Sequence, residues 1–181
     1  MKKLLITAVI SLLAIHAFAS TGPYIETNIG YSSTGTSNID KTEKLIKSQS
    51  EHFGYNFNAG VMFLGLGVEA GYTRFADLKY HQGSSSDATD LYGLHLAIKS
   101  QHSIGPIFIM GKIGYGQLYR GTFKVSDISV DSKKTSGLYF GFGAGIKFMP
   151  MLSAVMQYQQ IQGQGDMPDA NMTTIGINYG F

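Results

Sequence analysis

From Tyr24 onward, apolar and polar or small residues trade places at every second position, in one segment after another. In "YIETNIGYS", Ile25, Thr27, Ile29 and Tyr31 share one face, and Tyr24, Glu26, Asn28 and Gly30 share the other. "FGYNFNAGVMF" sets Phe53, Tyr55, Phe57, Ala59 and Val61 against Gly54, Asn56, Asn58 and Gly60, and "LGVEAGYT" sets Leu66, Val68, Ala70 and Tyr72 against Gly67, Glu69, Gly71 and Thr73. "YGLHLAIK" divides Tyr92, Leu94, Leu96 and Ile98 from Gly93, His95, Ala97 and Lys99. "PIFIMGKIGYGQ" is less clean, with Ile107, Ile109, Gly111, Ile113 and Tyr115 on one side and Phe108, Met110, Lys112, Gly114 and Gly116 on the other. In "GLYFGFGAGIKF", Leu138, Phe140, Phe142, Ala144, Ile146 and Phe148 oppose Tyr139, Gly141, Gly143, Gly145 and Lys147. "SAVMQYQQI" and "MTTIGINYGF" complete the series, the last with Thr173, Ile175, Ile177, Tyr179 and Phe181 on one face. A period of two over segments of about ten residues is the mark of a strand whose two faces meet different surroundings. The pattern predicts eight strands.

The predicted connections alternate in length. Tight turns fall at 63–65, 101–105 and 149–152, where Gly and Pro favour reversal, and long polar loops fall at 32–50, 76–90, 121–136 and 162–170. Ten of the twelve acidic residues lie in or beside those loops, which leaves Glu26 and Glu69 as the acids of the strands. Short turns at one rim and long loops at the other are what a transmembrane β-barrel shows.

Two eight-stranded architectures fit such a pattern, a soluble barrel with its apolar face turned inward around a ligand and a membrane barrel with that face turned outward to lipid. Composition separates them. Charged residues make up 14% of the chain, against about a quarter in a soluble domain. The non-apolar face is mostly Gly, Asn, Gln, Ala and Thr rather than charge, and aromatic residues such as Tyr31, Phe53, Tyr72, Tyr115, Phe148, Tyr179 and Phe181 stand near strand ends, as interfacial girdles require. The fold expected is an all-β, eight-stranded, antiparallel up-and-down transmembrane β-barrel over residues 20–181.

Residues 1–19 read as a secretory signal peptide: Lys2 and Lys3, an apolar run from Leu4 to Ile15, and the small-x-small site Ala17-Phe18-Ala19. No Cys follows, so no lipoprotein anchor is expected, and the absence of any Cys leaves stability to burial and backbone pairing. Removal of the leader takes two of fourteen basic residues and leaves twelve against twelve acidic ones, a formally neutral chain without the basic run that nucleic-acid binding needs.

The stretches "GPYIETNIGYS", "GLGVEAGYTRF", "GLYFGFGAGIKFMP" and "TTIGINYGF" resemble the small OmpA-like and OmpX-like outer-membrane β-barrels of Gram-negative bacteria, and the likeness covers the whole chain after the leader. The resemblance implies location in the outer membrane. It also implies that the alternation of Thr173, Ile175, Ile177 and Tyr179 ending on Phe181 serves as the signal read by the barrel assembly machinery. No sequence follows Phe181 that would correspond to the peptidoglycan-binding domain of full-length OmpA proteins, which puts a wall-tethering role in doubt.

Glu26, Glu69, Lys99, Lys112 and Lys147 are expected to share the lumen, where an unpaired charge costs several kcal/mol. Counted from the short-turn rim, Glu69 and Lys99 lie at similar heights on neighbouring strands and make the first-choice ion pair. Glu26 and Lys147 both lie near that rim and are expected to meet across a narrow barrel, with Glu69 the other carboxylate within Lys147's expected reach. Lys112 either shares a carboxylate or faces water. In the resembled family, a lumenal network of Glu, Lys and Arg gates or plugs the barrel, and Glu69, Lys112 and Lys147 occupy comparable places here. Where that family tends to place an Arg in the seventh strand, this chain has Val155.

Other constellations carry less. Gly141-x-Gly143-x-Gly145 lacks the spacing and strand-to-helix setting of a nucleotide loop, and reads as barrel lining. His52, His81, His95 and His102 have no metalloprotease spacing, so no metal or cofactor is expected. Met149-Pro150-Met151 reads as a turn at the lipid rim rather than a Cu(I) site. His81, Ser84, Ser85, Ser86, Asp87 and Asp90 form a Ser-rich loop segment without an active-site motif. The expectation is a non-enzymatic barrel serving envelope structure and adhesion. Its partners would be outer-membrane lipid and lipopolysaccharide, and a host or surface ligand through loops 32–50, 76–90, 121–136 and 162–170. The longest and most charged of these stretches, "SSTGTSNIDKTEKLIKSQSEH", is the first choice for contact. A lipid A-modifying enzyme and a narrow gated channel are the alternatives.

Overall fold

The computed structural model describes residues 21–34, 51–75, 78–82, 85–121, 123–125, 128–130, 132–164 and 167–181; the predicted leader lies outside them. Twelve strands run in order: β1 (Gly22–Thr34), β2 (Glu51–Phe63), β3 (Leu66–Arg74), β4 (Leu78–Gln82), β5 (Ser85–Thr89), β6 (Leu91–Ile104), β7 (Ile107–Arg120), β8 (Phe123–Val125), β9 (Ile128–Val130), β10 (Lys133–Met149), β11 (Leu152–Ile161) and β12 (Ala170–Gly180). Eight of them close into one antiparallel barrel in the order β1-β12-β11-β10-β7-β6-β3-β2, so each strand of the predicted set is present and pairs with its sequence neighbours. Closure by β1 against β12, from Tyr24 opposite Gly180 to Thr34 opposite Ala170, leaves the barrel no free sheet edge.

Alternation decides which way each side chain points. Ile29, Leu96, Phe142, Met156 and Ile175 are each at least 60% exposed on the outside, while Glu26, Asn58, Glu69, Lys99 and Gln159 point into the barrel and are buried. A band of exposed Ile, Leu, Phe and Val around a polar interior is the arrangement lipid demands, since the bilayer core satisfies no polar group. At the loop-end rim the outward tyrosines form a ladder across adjacent strands, with ring centroids 6.1 Å apart for Tyr55 and Tyr72, 6.0 Å for Tyr72 and Tyr92, and 5.0 Å for Tyr92 and Tyr119.

The short turns are tighter than their predicted spans. β2 and β3 are joined through Leu64 and Gly65, both at positive φ (49° and 81°), the backbone that a two-residue hairpin requires to match strand twist. Gly65 adopts it freely, whereas Leu64 holds it at a cost of about 1 kcal/mol. Between β6 and β7, Gly105 supplies the positive φ (62°) and Pro106 follows. Pro150 and Met151 join β10 to β11 without a positive φ, and the register shifts between Lys147 and Met149 to accommodate them.

The long connections differ from expectation. β1 continues to Thr34 and β2 begins at Glu51, so the barrel claims the first three residues of the predicted 32–50 contact loop, and 35–50 lies outside the described residues. Within 76–90, β4 and β5 pair from Leu78 opposite Thr89 to Gln82 opposite Ser85. Within 121–136, β8 and β9 pair from Phe123 opposite Val130 to Val125 opposite Ile128, and β10 already begins at Lys133. β-branched and aromatic residues in "FKVSDISV" carry strand propensity that the polar flanks masked.

Inside, glycine makes room. On β10, Gly141, Gly143 and Gly145 stand directly opposite Lys112, Met110 and Phe108 of β7. A Cβ added at Gly143 would lie 2.9 Å from Met110 Cε and 2.8 Å from Gln157 Cβ; one added at Gly145 would collide with the Phe108 ring. Phe108, Met110 and Val155 fill the space so provided. Gly145→Val is therefore expected to lower the urea midpoint of the folded barrel, at a cost of about 1–3 kcal/mol from overpacking. Gel mobility of unheated samples across a urea series checks this, and an unchanged midpoint would refute the glycine's steric role.

Candidate functional site

Four of the five charged residues predicted for the lumen come together. Lys99 on β6 and Lys112 on β7 are direct cross-strand partners, an opposition of like charges that is unfavourable by itself. Glu26 from β1 and Glu69 from β3 relieve it, each reaching both ammoniums. Lys112 Nζ lies 2.8 Å from Glu69 Oε1 and 3.3 Å from Glu26 Oε1, and Lys99 Nζ lies 3.3 Å from Glu26 Oε2 and 3.7 Å from Glu69 Oε2. Every one of these side chains is 1% exposed or less. The result is a ring of alternating charge with no net charge. Glu69 and Lys99, the pair expected first, form its longest side, and Lys112, expected either to share a carboxylate or to face water, makes its shortest.

A shell of uncharged donors fixes the carboxylates. Asn28 Nδ2 (3.1 Å), Asn58 Nδ2 (3.0 Å) and Gln157 Nε2 (3.0 Å) donate to Glu26 Oε1, and Asn178 Nδ2 (3.2 Å) donates to Oε2. Tyr24 donates its hydroxyl to Glu69 Oε2 at 2.6 Å, and its ring centroid lies 4.2 Å from Lys99 Nζ, a cation–π contact. His95 Nε2 lies 3.4 Å from Glu69 Oε1, and the imidazole stacks at 3.9 Å on Tyr139, which donates to Gln159 Oε1 at 3.2 Å. Gln159 and Asn56 both donate to Thr73 Oγ1, at 3.1 and 2.9 Å, and Asn56 also exchanges bonds with Asn58. Sequence reasoning did not name these partners individually. Their signal was the recurrence of Asn and Gln on the inward face.

Lys147 is a correction. It makes no ion pair with Glu26 or Glu69 among the described residues, although the register line from Glu26 through Asn178 and Ser153 leads to it. Two strands intervene, and strands tilted by about 40° and spaced about 4.8 Å apart carry that line roughly 9 Å along the barrel axis over three steps. Lys147 thus stands at the short-turn rim, below the ring. Val155, in the place where the resembled family tends to have an Arg, is buried with Phe108 and Met110.

Towards the loop end the inward face changes character. Phe75, Leu91, Leu118, Ile161, Met167, Ala170 and Met172 are buried together with Tyr139 and Ala97. Asp169 holds the segment carrying Met167, accepting from Gly163 N at 2.8 Å and from Gln160 Nε2 at 3.1 Å. On the outer rim, Asp90 accepts from Arg74 at 2.6 Å, an exposed pair of small energetic weight. His81 faces Ser86 and Tyr80 faces Asp87 in the β4–β5 register; Ser84 lies outside the described residues. On β12, Thr173, Ile175, Ile177, Tyr179 and the terminal Phe181 form one outward, exposed stripe. Among the described residues there is no group of three His, Cys, Asp or Glu placed to hold a metal ion.

Removing one member of the ring leaves a buried charge unpaired, which costs about 3–5 kcal/mol. Lys112→Met is therefore expected to destabilise the barrel by that amount in urea titration. Lys112→Met combined with Glu69→Gln, which restores neutrality, is expected to cost less than the sum of the two single changes. Additive losses would show that the four groups do not act as a unit.

The architecture recurs in solved structures. Neisserial surface protein A aligns with a TM-score of 0.67 at 14% identity, over 89% of this chain and 98% of its own. Ail, the attachment invasion locus protein of Yersinia pestis, aligns with a TM-score of 0.61 at 15% identity, over 90% of this chain and 100% of its own. Ail in complex with the heparin analogue sucrose octasulfate aligns at 0.59 and 17% identity, over 90% and 100%. At these identities the likeness is one of fold. No curated protein sequence is detectably similar to the chain. A family model, however, matches residues 5–181, nearly the whole chain, and by that match the chain belongs to the outer membrane protein beta-barrel domain family.

Proposed function

We propose that this chain is a non-enzymatic outer-membrane barrel that contributes to envelope structure and contacts surfaces or host molecules through its loop end, with its lumen closed. The carrying observation is the division of labour between inside and outside. The interior is spent on the charge ring, its amide shell and the apolar cluster beneath the loops, whereas the connections beyond β3 and β7 build the hairpins β4–β5 and β8–β9, of which β5 lies beside β8. Eight strands give an interior just wide enough for side chains to fill, and interaction chemistry is then displaced to the rims. The name of Ail, an attachment invasion locus protein, and its complex with a heparin analogue support an adhesive reading for a barrel of this fold. Lipopolysaccharide would meet the tyrosine ladder from the outer leaflet, and the outward stripe ending on Phe181 would be the feature read by the barrel assembly machinery.

Binding of whole cells displaying the protein to immobilised heparin and to extracellular matrix tests the loops. Replacement of residues 78–89 or 123–130 by a two-residue turn is expected to reduce binding at least tenfold while the heat-dependent gel shift of the barrel persists. Undiminished binding, or none by the unaltered protein, would overturn the adhesive reading. For the lumen, the unaltered barrel is expected to be silent in planar bilayers, and steady conductance would contradict closure.

A further inference from the structure

At the short-turn rim a cavity of about 360 Å³ enters the barrel, bordered by Tyr24, Met62, Lys99, Gln101, Lys147 and Asn178 among others. Its lining includes two lysines and two side-chain amides but no Asp or Glu: both carboxylates of the charge ring lie behind Lys99 and do not border it. Glu26 already takes donors from Lys99, Lys112, Asn28, Asn58, Gln157 and Asn178, so its two oxygens are saturated. Glu69 is held by Tyr24, His95, Lys99 and Lys112. Lys147, half-buried on the inward face of β10, forms no ion pair among the described residues. Phe181, the last residue of the sequence, borders the same cavity and forms no ion pair with Lys147 either.

A half-buried cation with no carboxylate within ion-pair distance draws an anion from outside, because its field is screened less than that of a surface lysine. Short turns of such barrels face the periplasm, so that anion would come from the periplasmic side. Room is ample, since about 10–15 Å³ accommodates one water and the cavity therefore holds an oxyanion with part of its hydration shell. We infer that the short-turn mouth is a binding site for a small oxyanion of the phosphate or carboxylate class. Lys147 is its principal ligand, and the Gln101 side chain borders the same cavity, whereas Lys99 at its lining is already neutralised by Glu26 and Glu69. The apolar border at Met62 and Phe181 narrows the entrance and favours compact ligands. The chemistry is shared by free phosphate and by the phosphate of a lipid headgroup reaching over the rim.

The test uses the whole barrel in dodecyl maltoside, whose head carries no phosphate, and follows the side-chain and backbone NMR signals of Lys147, Gln101 and Asn178. In one arm inorganic phosphate replaces chloride at constant ionic strength; in the other, phosphatidylglycerol is added without phosphate. A saturable shift of these signals is expected in the first arm if the ligand is a free anion, and in the second alone if it is a headgroup. Lys147→Gln is expected to weaken the apparent Kd at least tenfold, Lys147→Arg to retain it within about threefold, and Lys134→Gln, on the outer face of β10, to leave it unchanged. The gel shift on heating confirms that each variant is folded. Absence of a saturable shift in both arms, or equal affinity in Lys147→Gln, would overturn the assignment.

Discussion

Lys99 and Lys112 stand opposite each other on adjacent strands, and much of the interior is arranged to make that opposition tolerable. Two ammoniums at cross-strand distance repel, and each costs several kcal/mol to take out of water. Neither carboxylate alone would suffice. Because Glu26 and Glu69 arrive from two other strands and each bridges both lysines, four strands are tied by one neutral ring. The amides around Glu26 and the Tyr24 hydroxyl on Glu69 then hold each carboxylate between the two cations rather than on one of them. Satisfaction is nearly complete, and a buried polar network stabilises a single arrangement only under that condition.

The same constraint explains the glycine stripe of β10. Lys112, Met110 and Phe108 extend across the lumen from β7, and the residues paired with them are Gly141, Gly143 and Gly145. Long side chains on one strand and none on its neighbour are two halves of one solution to a narrow interior. Apolar and charged residues of β7 use the glycine space alike: Met110 and Phe108 fill the lower lumen, and Lys112 reaches the ring above them.

Strand identity and the lipid-facing surface were legible in the sequence because a period of two survives whatever the barrel's curvature. The partners in the lumen were less so. Height counted from a turn orders residues along one strand, but a closed barrel is staggered. From Glu26 the register runs one way through Asn178 and Ser153 to Lys147, and the other way through Asn58, Gly71, His95 and Gly116 to Gly137, ten residues away on the same strand. That offset separates Lys147 from Glu26 and lets Lys112 reach Glu69, and no single segment encodes it. The hairpins β4–β5 and β8–β9 were hidden for another reason. Their strands are only three to five residues long, too short for alternation to stand out against polar flanks.

The ring also bears on where such a molecule can interact with anything else. Its outward face is committed to lipid by exposed residues such as Ile29, Leu96 and Phe142, and the middle of its inward face is committed to itself. Among the described residues, unassigned chemistry is left at the two rims, and they differ in kind. At the loop end, apolar side chains from Phe75 to Met172 are buried together. At the short-turn end the amide shell thins out and Lys147 is left outside the ring's neutrality. Lys147, on the glycine face of β10, takes no part in the ring's charge balance, and it is the group that an otherwise self-satisfied barrel would present to an anion at its mouth.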